Sequence, residues 1–552
     1  HGLYYFPDLA ALEANRPARF ERTVTLAGRD PAARFDVGHV SAFAQDEWSP
    51  LDRLTLHMGL RVDLPLLRDR PEENAALNDA LGVSTARLPR TGPMWSPRVA
   101  FSWQSNRRLR TQLRGGVGLF TGRPAYAWLA YARTGLTTGL LSCDTSAAPA
   151  LDPINVPTAC AGRPEGADTR TSPVTTFARD FRFPQDLRIV GGVDQTLPFA
   201  FTVSADFVLG IARRQIALRD INLGDAIPDR RHEDGYTDGF GFERRSSFGI
   251  PTLSGFETVR RADGFHQVIQ LGDDAQNRAL AVSFELAGRA AATDVRGAYT
   301  YTRSIDVQSL THREAAANFG AVPTADDPNR PAAARSDFDR PHRVLLSLSH
   351  QFRQTRGTQL SLLYVGESGA PFTYVYAFDI NGDAVPGPGL TRSFNDPVHV
   401  PELLSRFPGS IGSAIAFAAM LDADPCLAAW GGSIVARNSC RGPAIHRLDL
   451  RASHTLRVRG TDLRFVADLL NVLHLIGSDR GRVQTVPSLV PLLGVQSPRQ
   501  SEPLSNAPGP LQAWYAGPVI READGRLRAL LPYTLDPAAS RWQAQIGIEL
   551  RR

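Results

Sequence analysis

Three short stretches hold residues of the kinds that bind nucleotides, attack acyl groups or ligate cations. Gly116-Val117-Gly118 with Gly122 suggests a dinucleotide-binding turn, in which glycines let the backbone approach a pyrophosphate at a helix N-terminus. The third glycine comes one residue late and no helical pattern follows, so these glycines read as strand residues at a tight or curved wall. Ser368 lies in Gly366-Glu-Ser-Gly-Ala370, which misses the nucleophile-elbow pattern at its last position, and no partner His and acid can be assigned. A hydrolase is rejected. Asp379, Asn381 and Asp383 repeat the first half of a calcium loop, and Asn395 and Asp396 would add oxygen donors, but the twelfth position is Leu390 and not Glu. Two readings stay open there: a bound calcium ion, the one cofactor suggested anywhere in the chain, or an Asx-rich turn in a long loop. His342 and His350 share a strand face but are too far apart for one metal, and read as ordinary wall residues.

The four cysteines fall as two close pairs, Cys143 with Cys160 and Cys426 with Cys440, in stretches of small and turn-forming residues. Two local disulfides stapling loops are expected, which implies an oxidising compartment. A zinc site is the competing reading, against which stands the lack of any C-x-x-C element or nearby His pair. The formal charge of +5 and pI near 9.2 raise nucleic acid as a partner, but the basic residues are spread evenly and form no stripe, so no nucleic-acid role is expected. All 61 basic residues are Arg, which reads as coding bias and not as phosphate binding.

These residues have to be held by something, and the strongest pattern is a repeated run with period-two alternation. Leu54, Leu56, Met58, Leu60, Val62 and Leu64 alternate with Thr55, His57, Gly59, Arg61 and Asp63. Leu109, Thr111, Leu113, Gly115, Val117 and Leu119 oppose Arg110, Gln112, Arg114, Gly116 and Gly118. The pattern returns with Phe199, Phe201, Val203, Ala205, Phe207 and Leu209, with Leu463 to Leu469, and with Trp542 to Leu550. One such strand suits a soluble sandwich as well as a membrane wall. Many strands with arginines and acids on one face suit a wide, water-containing lumen, because a small core would have to expel them. Arg61, Asp63, Arg110, Arg114, Arg447, Asp449 and Arg451 are therefore the candidate lumen-facing residues. No run of 18 apolar residues is present, so no membrane-spanning helix is expected.

Connections alternate between short and long. Ser49-Pro-Leu-Asp-Arg53, Gln104-Ser-Asn-Arg-Arg108 and Gln195-Thr-Leu-Pro198 are tight turns, whereas residues 65 to 94, 121 to 185, 210 to 262, 305 to 340 and 376 to 443 are long and irregular. Short turns on one rim and long loops on the other describe an outer-membrane barrel, with the long set, and both cysteine pairs, outside the cell. Trp48, Trp95, Trp103, Tyr299, Tyr301, Tyr364, Phe372, Tyr374, Tyr376 and Trp542 suit interfacial girdles. Segment 402 to 421 is expected to hold a short amphipathic helix over the barrel mouth, with Leu403, Leu404, Ile411, Ile415, Phe417 and Met420 as its apolar set.

Several segments resemble the barrel of TonB-dependent receptors, in particular the Oar-like branch that often carries an N-terminal carboxypeptidase-regulatory-like domain. They include Phe43-Ala-Gln-Asp-Glu-Trp48, Leu54-Thr-Leu-His-Met-Gly-Leu-Arg61, Ser96-Pro-Arg-Val-Ala-Phe101 and Leu113-Arg-Gly-Gly-Val-Gly-Leu-Phe120. Tyr299-Thr-Tyr-Thr-Arg-Ser-Ile-Asp306, Phe338-Asp-Arg-Pro-His-Arg343, Ser368-Gly-Ala-Pro-Phe-Thr373 with Asp379-Ile-Asn-Gly-Asp383, Asn395-Asp396, Ala436-Arg-Asn438 and Asp468-Leu-Leu-Asn-Val-Leu473 follow in order. The resemblance implies a 22-stranded antiparallel barrel closed by a plug, importing a scarce siderophore, glycan or peptide with energy relayed by TonB. It also implies outer-membrane lipid, the protein's own plug, the TonB complex and a ligand as partners, a Gram-negative outer membrane as location, and no catalysis. About 14 to 16 strands are expected across residues 1–552, taken as one barrel portion, at roughly ten residues per strand. The opening at His1, without Met or leader, and the lack of a recognisable plug or TonB box lead to the expectation of further domains upstream. The ending Glu549-Leu-Arg-Arg552 lacks a terminal aromatic and is expected to be trimmed or variant. A surface barrel for adhesion or secretion and a soluble secreted multi-domain β protein are the alternatives.

Overall fold

The computed structural model describes residues 2–551 except 7, 27–31, 106–108, 123–125, 136, 144–146, 165–168, 228–244, 253–254, 353, 356, 378, 384–394, 408, 459, 497–511, 516 and 523–525. Of the positions discussed above, Asn106, Arg107, Arg108 and Leu390 lie outside the described residues.

Thirteen strands, each hydrogen-bonded antiparallel to the next in sequence, make one continuous path. They are β1 (Val37–Leu51), β2 (Leu54–Leu67), β3 (Met94–Gln104), β4 (Thr111–Thr121), β5 (Gln185–Thr196), β6 (Phe201–Asp220) and β7 (Arg278–Ala290). The path continues through β8 (Thr293–Asp306), β9 (His342–Gln351), β10 (Thr358–Glu367), β11 (Ile445–Val458), β12 (Thr461–Leu470) and β13 (Gln543–Arg551). Three short strands extend the sheet beyond one rim, giving 16 in all. Every tight turn lies on one rim and every long connection on the other, because each odd-numbered strand runs toward the tight turns. Among the described residues β1 pairs only with β2, and β13 only with β12.

Register makes the alternation collective. Residues directly opposite in an antiparallel pair point to the same side, and the pairs Leu56↔Phe101, Val99↔Val117, Ile189↔Leu209, Phe207↔Val282, Leu346↔Tyr364 and Phe465↔Ile548 put apolar residues together from end to end. This face has no layer packed on it: Phe207 is 44%, Phe284 52% and Ile548 62% exposed. A soluble domain rarely leaves more than a few hundred Å² of contiguous apolar surface in water, so the face is built for lipid. The same observation disposes of the soluble-sandwich alternative.

The ends of the apolar face carry amphipathic rings. Trp95 and Trp103 on β3, His342 and His350 on β9, and His446 and His454 on β11 are each eight residues apart, about 26 Å along a strand, which matches an apolar band of roughly 25 Å. Each of these histidines is tied through Nδ1 to a hydroxyl on the neighbouring strand at 2.8 Å: Tyr299 for His342, Thr293 for His350, Tyr364 for His446 and Thr358 for His454. Their polar atoms are thereby satisfied at the membrane boundary.

Several expectations need correction. Phe372, Tyr374 and Tyr376 do not join a girdle; they are fully buried in a core made of long connections. Phe199 is not on the wall but in the turn before β6, at φ 62° and 88% exposed, and Leu109 and Arg110 precede β4 in the same way. The long connections are also not irregular. Among the described residues they contribute to four buried hydrophobic clusters above the rim, two of them large. One joins the connection after β10 to that after β12, around Phe372, Tyr374, Phe417 and Leu493. The other gathers α1 (Tyr126–Thr134), α2 (Ala315–Gly320), the end of β6 and strand Val268–Asp274. The helix expected over 402 to 421 is α3 (Ile411–Ala423), capped by Ser410 through the backbone N–H of Ser413. It buries Phe417 and Met420 but leaves Ile411 and Ile415 exposed, so it is apolar on more than one side.

The lipid assignment is tested by paired substitutions at the middle of β7. Phe284→Arg is expected to weaken folding into phospholipid vesicles by about 2–4 kcal/mol, whereas Glu285→Arg, one residue along and on the polar face, changes it by less than about 1 kcal/mol. Reversible urea titration in vesicles measures both, and equal costs would refute the assignment of faces.

Candidate functional site

The polar face is a wall of arginines paired with carboxylates. Arg61 grips Asp63 on the same strand at 2.7–3.0 Å and reaches Ser41 on β1 at 3.0 Å, while His39 stands 3.3 Å from Asp63. Arg447 and Asp449 repeat that two-residue spacing on β11 at 3.2 Å, and Asp449 also accepts the backbone N–H of Asn471 at 2.8 Å. Arg451 makes two bonds to Asp468, directly opposite on β12, at 2.5 and 2.9 Å. Arg110 lies in the turn below β4 and not among them.

Arg114 shows how glycine serves this wall. In one row across three strands stand Arg114 on β4, Gly192 on β5 and Asp206 on β6. With no side chain at Gly192, Arg114 crosses over β5 to bond Asp206 at 2.5 Å, and it also pairs with Asp194. A Cβ on Gly192 would collide with the carboxylate. The same device recurs on β3, β2 and β1, where Arg98 crosses Gly59 to reach Gln45 at 2.7 Å. Gly116 and Gly118, whose spacing suggested a nucleotide loop, are strand residues flooring a groove of about 410 Å³. Arg98, Arg188 and Phe120 edge it, with the Arg188 guanidinium 5.3 Å above the Phe120 ring. Sequence reading named Arg114 for the polar face but missed Asp194, Arg98 and the crossing itself. Their signal is a glycine at polar parity between an Arg and an acceptor two strands away.

Over this wall the long connections are cross-tied by buried charge. Arg437 bonds Asp306 at 2.6 Å, Ser309 at 2.9 Å and the Val307 carbonyl at 2.7 Å. Asn438, at φ 55°, donates to Asp337 at 2.6 Å and to the Arg335 carbonyl at 2.7 Å, and Arg441 bonds Asp339 at 2.7 Å. Burial pushes the Asp337 carboxyl up, against the pull of Asn438 and Arg437. Two of the segments quoted above for their resemblance thus each supply residues to ties between the connections after β8 and β10, Ala436 to Asn438 through Arg437 and Asn438, and Phe338 to Arg343 through Asp339, which Arg441 holds. Both cysteine pairs are bonded, Cys143 to Cys160 and Cys426 to Cys440, with Cα atoms 5.5 and 5.6 Å apart. The first closes a loop within the connection after β4, the second a loop within the connection after β10.

The Asp379–Asp383 turn is buried near this core. Asp379 accepts the Gly382 N–H at 2.6 Å, Asn381 accepts that of Asp383 at 2.9 Å, and Asp396 accepts that of Ile380 at 2.9 Å. Asn381 and Asn395 both donate to Asp383, at 3.2 and 3.3 Å. Among the described residues no three His, Cys, Asp or Glu side chains come together as a metal set.

Two measurements probe the cap. Arg437→Ala leaves Asp306 enclosed without its cation, a loss of about 3–5 kcal/mol for a buried pair, and should make the connection after β10 cleavable by protease in the folded protein. Arg437→Met combined with Asp306→Leu should restore most of the resistance; an equally resistant single variant would mean the lock contributes nothing. For pH, the pertinent group is Asp273, on the strand above β6. Partial desolvation by the elements packed around it raises the carboxyl of this surface residue to about 6, against the Arg182 backbone N–H and the charges of Arg214 and Arg182. The folded form then holds an extra proton between about pH 4 and 6, so this group costs stability as pH rises through that window and nothing below it. Asp273→Asn should raise the cap's melting temperature at pH 7.5 and leave it unchanged at pH 3.5; equal shifts at both would exclude the desolvated carboxylate as cause.

Comparison with known proteins agrees with this architecture. A search of curated proteins finds no match. Among solved structures, the chain is similar to a ferric enterobactin receptor (PfeA) variant from Pseudomonas aeruginosa, at 10% identity and TM-score 0.39, covering 85% of this chain and 45% of that one. It is similar to the siderophore receptor PirA from Acinetobacter baumannii at 9% identity and TM-score 0.38, covering 82% and 46%. The outer membrane transporter YddB from Escherichia coli gives 10% identity and TM-score 0.37, covering 93% and 54%. The chain spans about half the length of the solved structures it matches. Residues 9–475 match the family model described as outer membrane beta barrel domain. With that match over most of its length, the chain belongs to the outer membrane β-barrel family.

Proposed function

We propose that the protein is the wall and outer mouth of a ligand-gated uptake receptor, importing a scarce polar ligand with energy relayed by TonB. The observation that carries this reading is the polar face. The wall presents Arg–carboxylate pairs on β2, between β4 and β6, on β11 and between β11 and β12, beneath a cap that has hydrophobic cores of its own. A lumen of that kind favours a polar, hydrogen-bonding occupant, whether a plug or a ligand, over an apolar one. A folded cap of cross-tied connections offers a fixed surface on which a ligand is selected before it enters.

In this reading the unpaired edges of β1 and β13 are joined to each other or to further strands, because an open edge in hydrocarbon leaves backbone groups unsatisfied at several kcal/mol each. Siderophores, glycans and peptides are the ligand classes to try. A plug domain, a carboxypeptidase-regulatory-like domain and the TonB complex are the partners the reading requires. The protein acts as a conduit without catalytic chemistry.

The test is uptake in cells. Labelled siderophores, oligosaccharides and peptides should include at least one class whose accumulation falls about tenfold when the gene is deleted, and falls equally when TonB is deleted. Uptake of every class unchanged by either deletion, with loss of surface attachment or of a secreted protein instead, would replace this reading by the adhesion or secretion alternative.

A further inference from the structure

The apolar face carries a feature that neither uptake nor wall-building uses. At the cap end of β7 and β8, just beyond the aromatic ring, two arginines face outward. Arg278 shares its side of β7 with Leu280, Val282 and Phe284, and Arg303 shares its side of β8 with Tyr301 and Tyr299. Register sets them on a diagonal, since Arg278 is opposite Ile305 and Arg303 is opposite Leu280, which brings them within about 7–8 Å along the backbone. The next pair down is Tyr301 with His342, whose ring is bonded to Tyr299 at 2.8 Å and stacked 6.1 Å from it. All four side chains border open surface: Arg278, Arg303, His342 and Tyr299 are exposed or nearly so.

These arginines differ from those of the polar face. Arg61, Arg114, Arg447 and Arg451 each hold a carboxylate. Among the described residues, Arg278 and Arg303 have no carboxylate within ion-pair reach. Asp274, four residues before Arg278, is already bonded by the backbone and side chain of Gln276, at 2.7 and 3.1 Å. An arginine directed toward lipid is costly at mid-membrane and tolerated only near the interface. There its stem lies along the apolar surface, and its guanidinium meets whatever anion the leaflet supplies, phosphate above all.

We propose that Arg278 and Arg303, with Tyr299, Tyr301 and His342, form a docking surface for the phosphorylated saccharide headgroup of an outer-leaflet glycolipid. The two guanidiniums match a phosphate bidentately, and the tyrosine rings offer faces and hydroxyls to a sugar. The site is on the lipid side of the wall, so its occupancy is separate from any ligand passing through the lumen.

The experiment uses the full chain, folded in phosphatidylcholine nanodiscs containing a trace of bisphosphorylated glycolipid (lipid A), its dephosphorylated form, or phosphatidylglycerol. Lipid that remains on the protein is read by native mass spectrometry. Wild type should retain the phosphorylated glycolipid over both others. Arg278→Gln with Arg303→Gln should weaken that retention about 30-fold, at roughly fivefold per arginine, while the band shift of the folded barrel on unheated gels stays unchanged. Each single variant should give an intermediate loss. Retention of the dephosphorylated lipid as strong as the phosphorylated one, or a double variant that retains it like wild type, overturns the proposal. Equal retention of phosphatidylglycerol overturns the glycolipid assignment.

Discussion

Strand-to-strand pairing of the backbone is the constraint from which the rest follows. In hydrocarbon there is no water to satisfy an N–H or C=O, so each wall strand must bond to a neighbour along its length. Antiparallel pairing then fixes parity, because a slip of one residue would turn every leucine inward and every arginine outward. Pairs such as Phe207↔Val282 and Arg451↔Asp468 are two sides of one register decision. The Trp and His rings at both ends of the apolar face mark where that decision stops mattering.

Parity also explains where charge can be afforded and how it is neutralised. The lumen arginines lie flat along the sheet toward acceptors on the same, the next or the second strand, and glycine is used where a side chain would block the crossing, as at Gly192 and Gly59. An isolated exposed pair contributes little to stability. A field of them shapes what the lumen will accept. Among the described residues the outward arginines Arg278 and Arg303 have no such partner, and they stand on the apolar face.

The cap solves a different problem. The wall has one face toward lipid and the other toward water, which leaves it no core in which a connection could bury apolar residues. The long connections accordingly fold on one another, with Phe372, Tyr374 and Phe417 in one core and Phe177, Phe181 and Phe319 in another. Polar contacts between connections are enclosed and consequently specific. Tyr374 donates to Asp424 at 2.5 Å, and its burial beside that carboxylate pushes the phenol far up from its ordinary range. Each disulfide closes a loop within one connection, and the Arg437–Asp306 lock ties the connection after β10 to the end of β8.

The sequence by itself determined what depends on neighbours in the chain. Alternation from Leu54 to Leu64 gave the two faces of β2, the tight turns gave one rim, and the spacings of Cys143 with Cys160 and Cys426 with Cys440 were short enough to suggest the bonds that exist. Arg61, Asp63, Arg114, Arg447, Asp449 and Arg451 were legible as polar-face residues by parity alone. Only the tertiary structure decided which of them meet. Arg114 pairs with Asp206 across a strand 92 residues of chain away, and no local pattern encodes that row. The aromatic run from Phe372 to Tyr376 alternates like a wall strand yet is enclosed on both sides, because residues 486 to 493 and 529 to 533 return to cover it. Period-two spacing reports that a segment is extended. Whether lipid, water or another part of the chain lies against it is settled by contacts hundreds of residues apart.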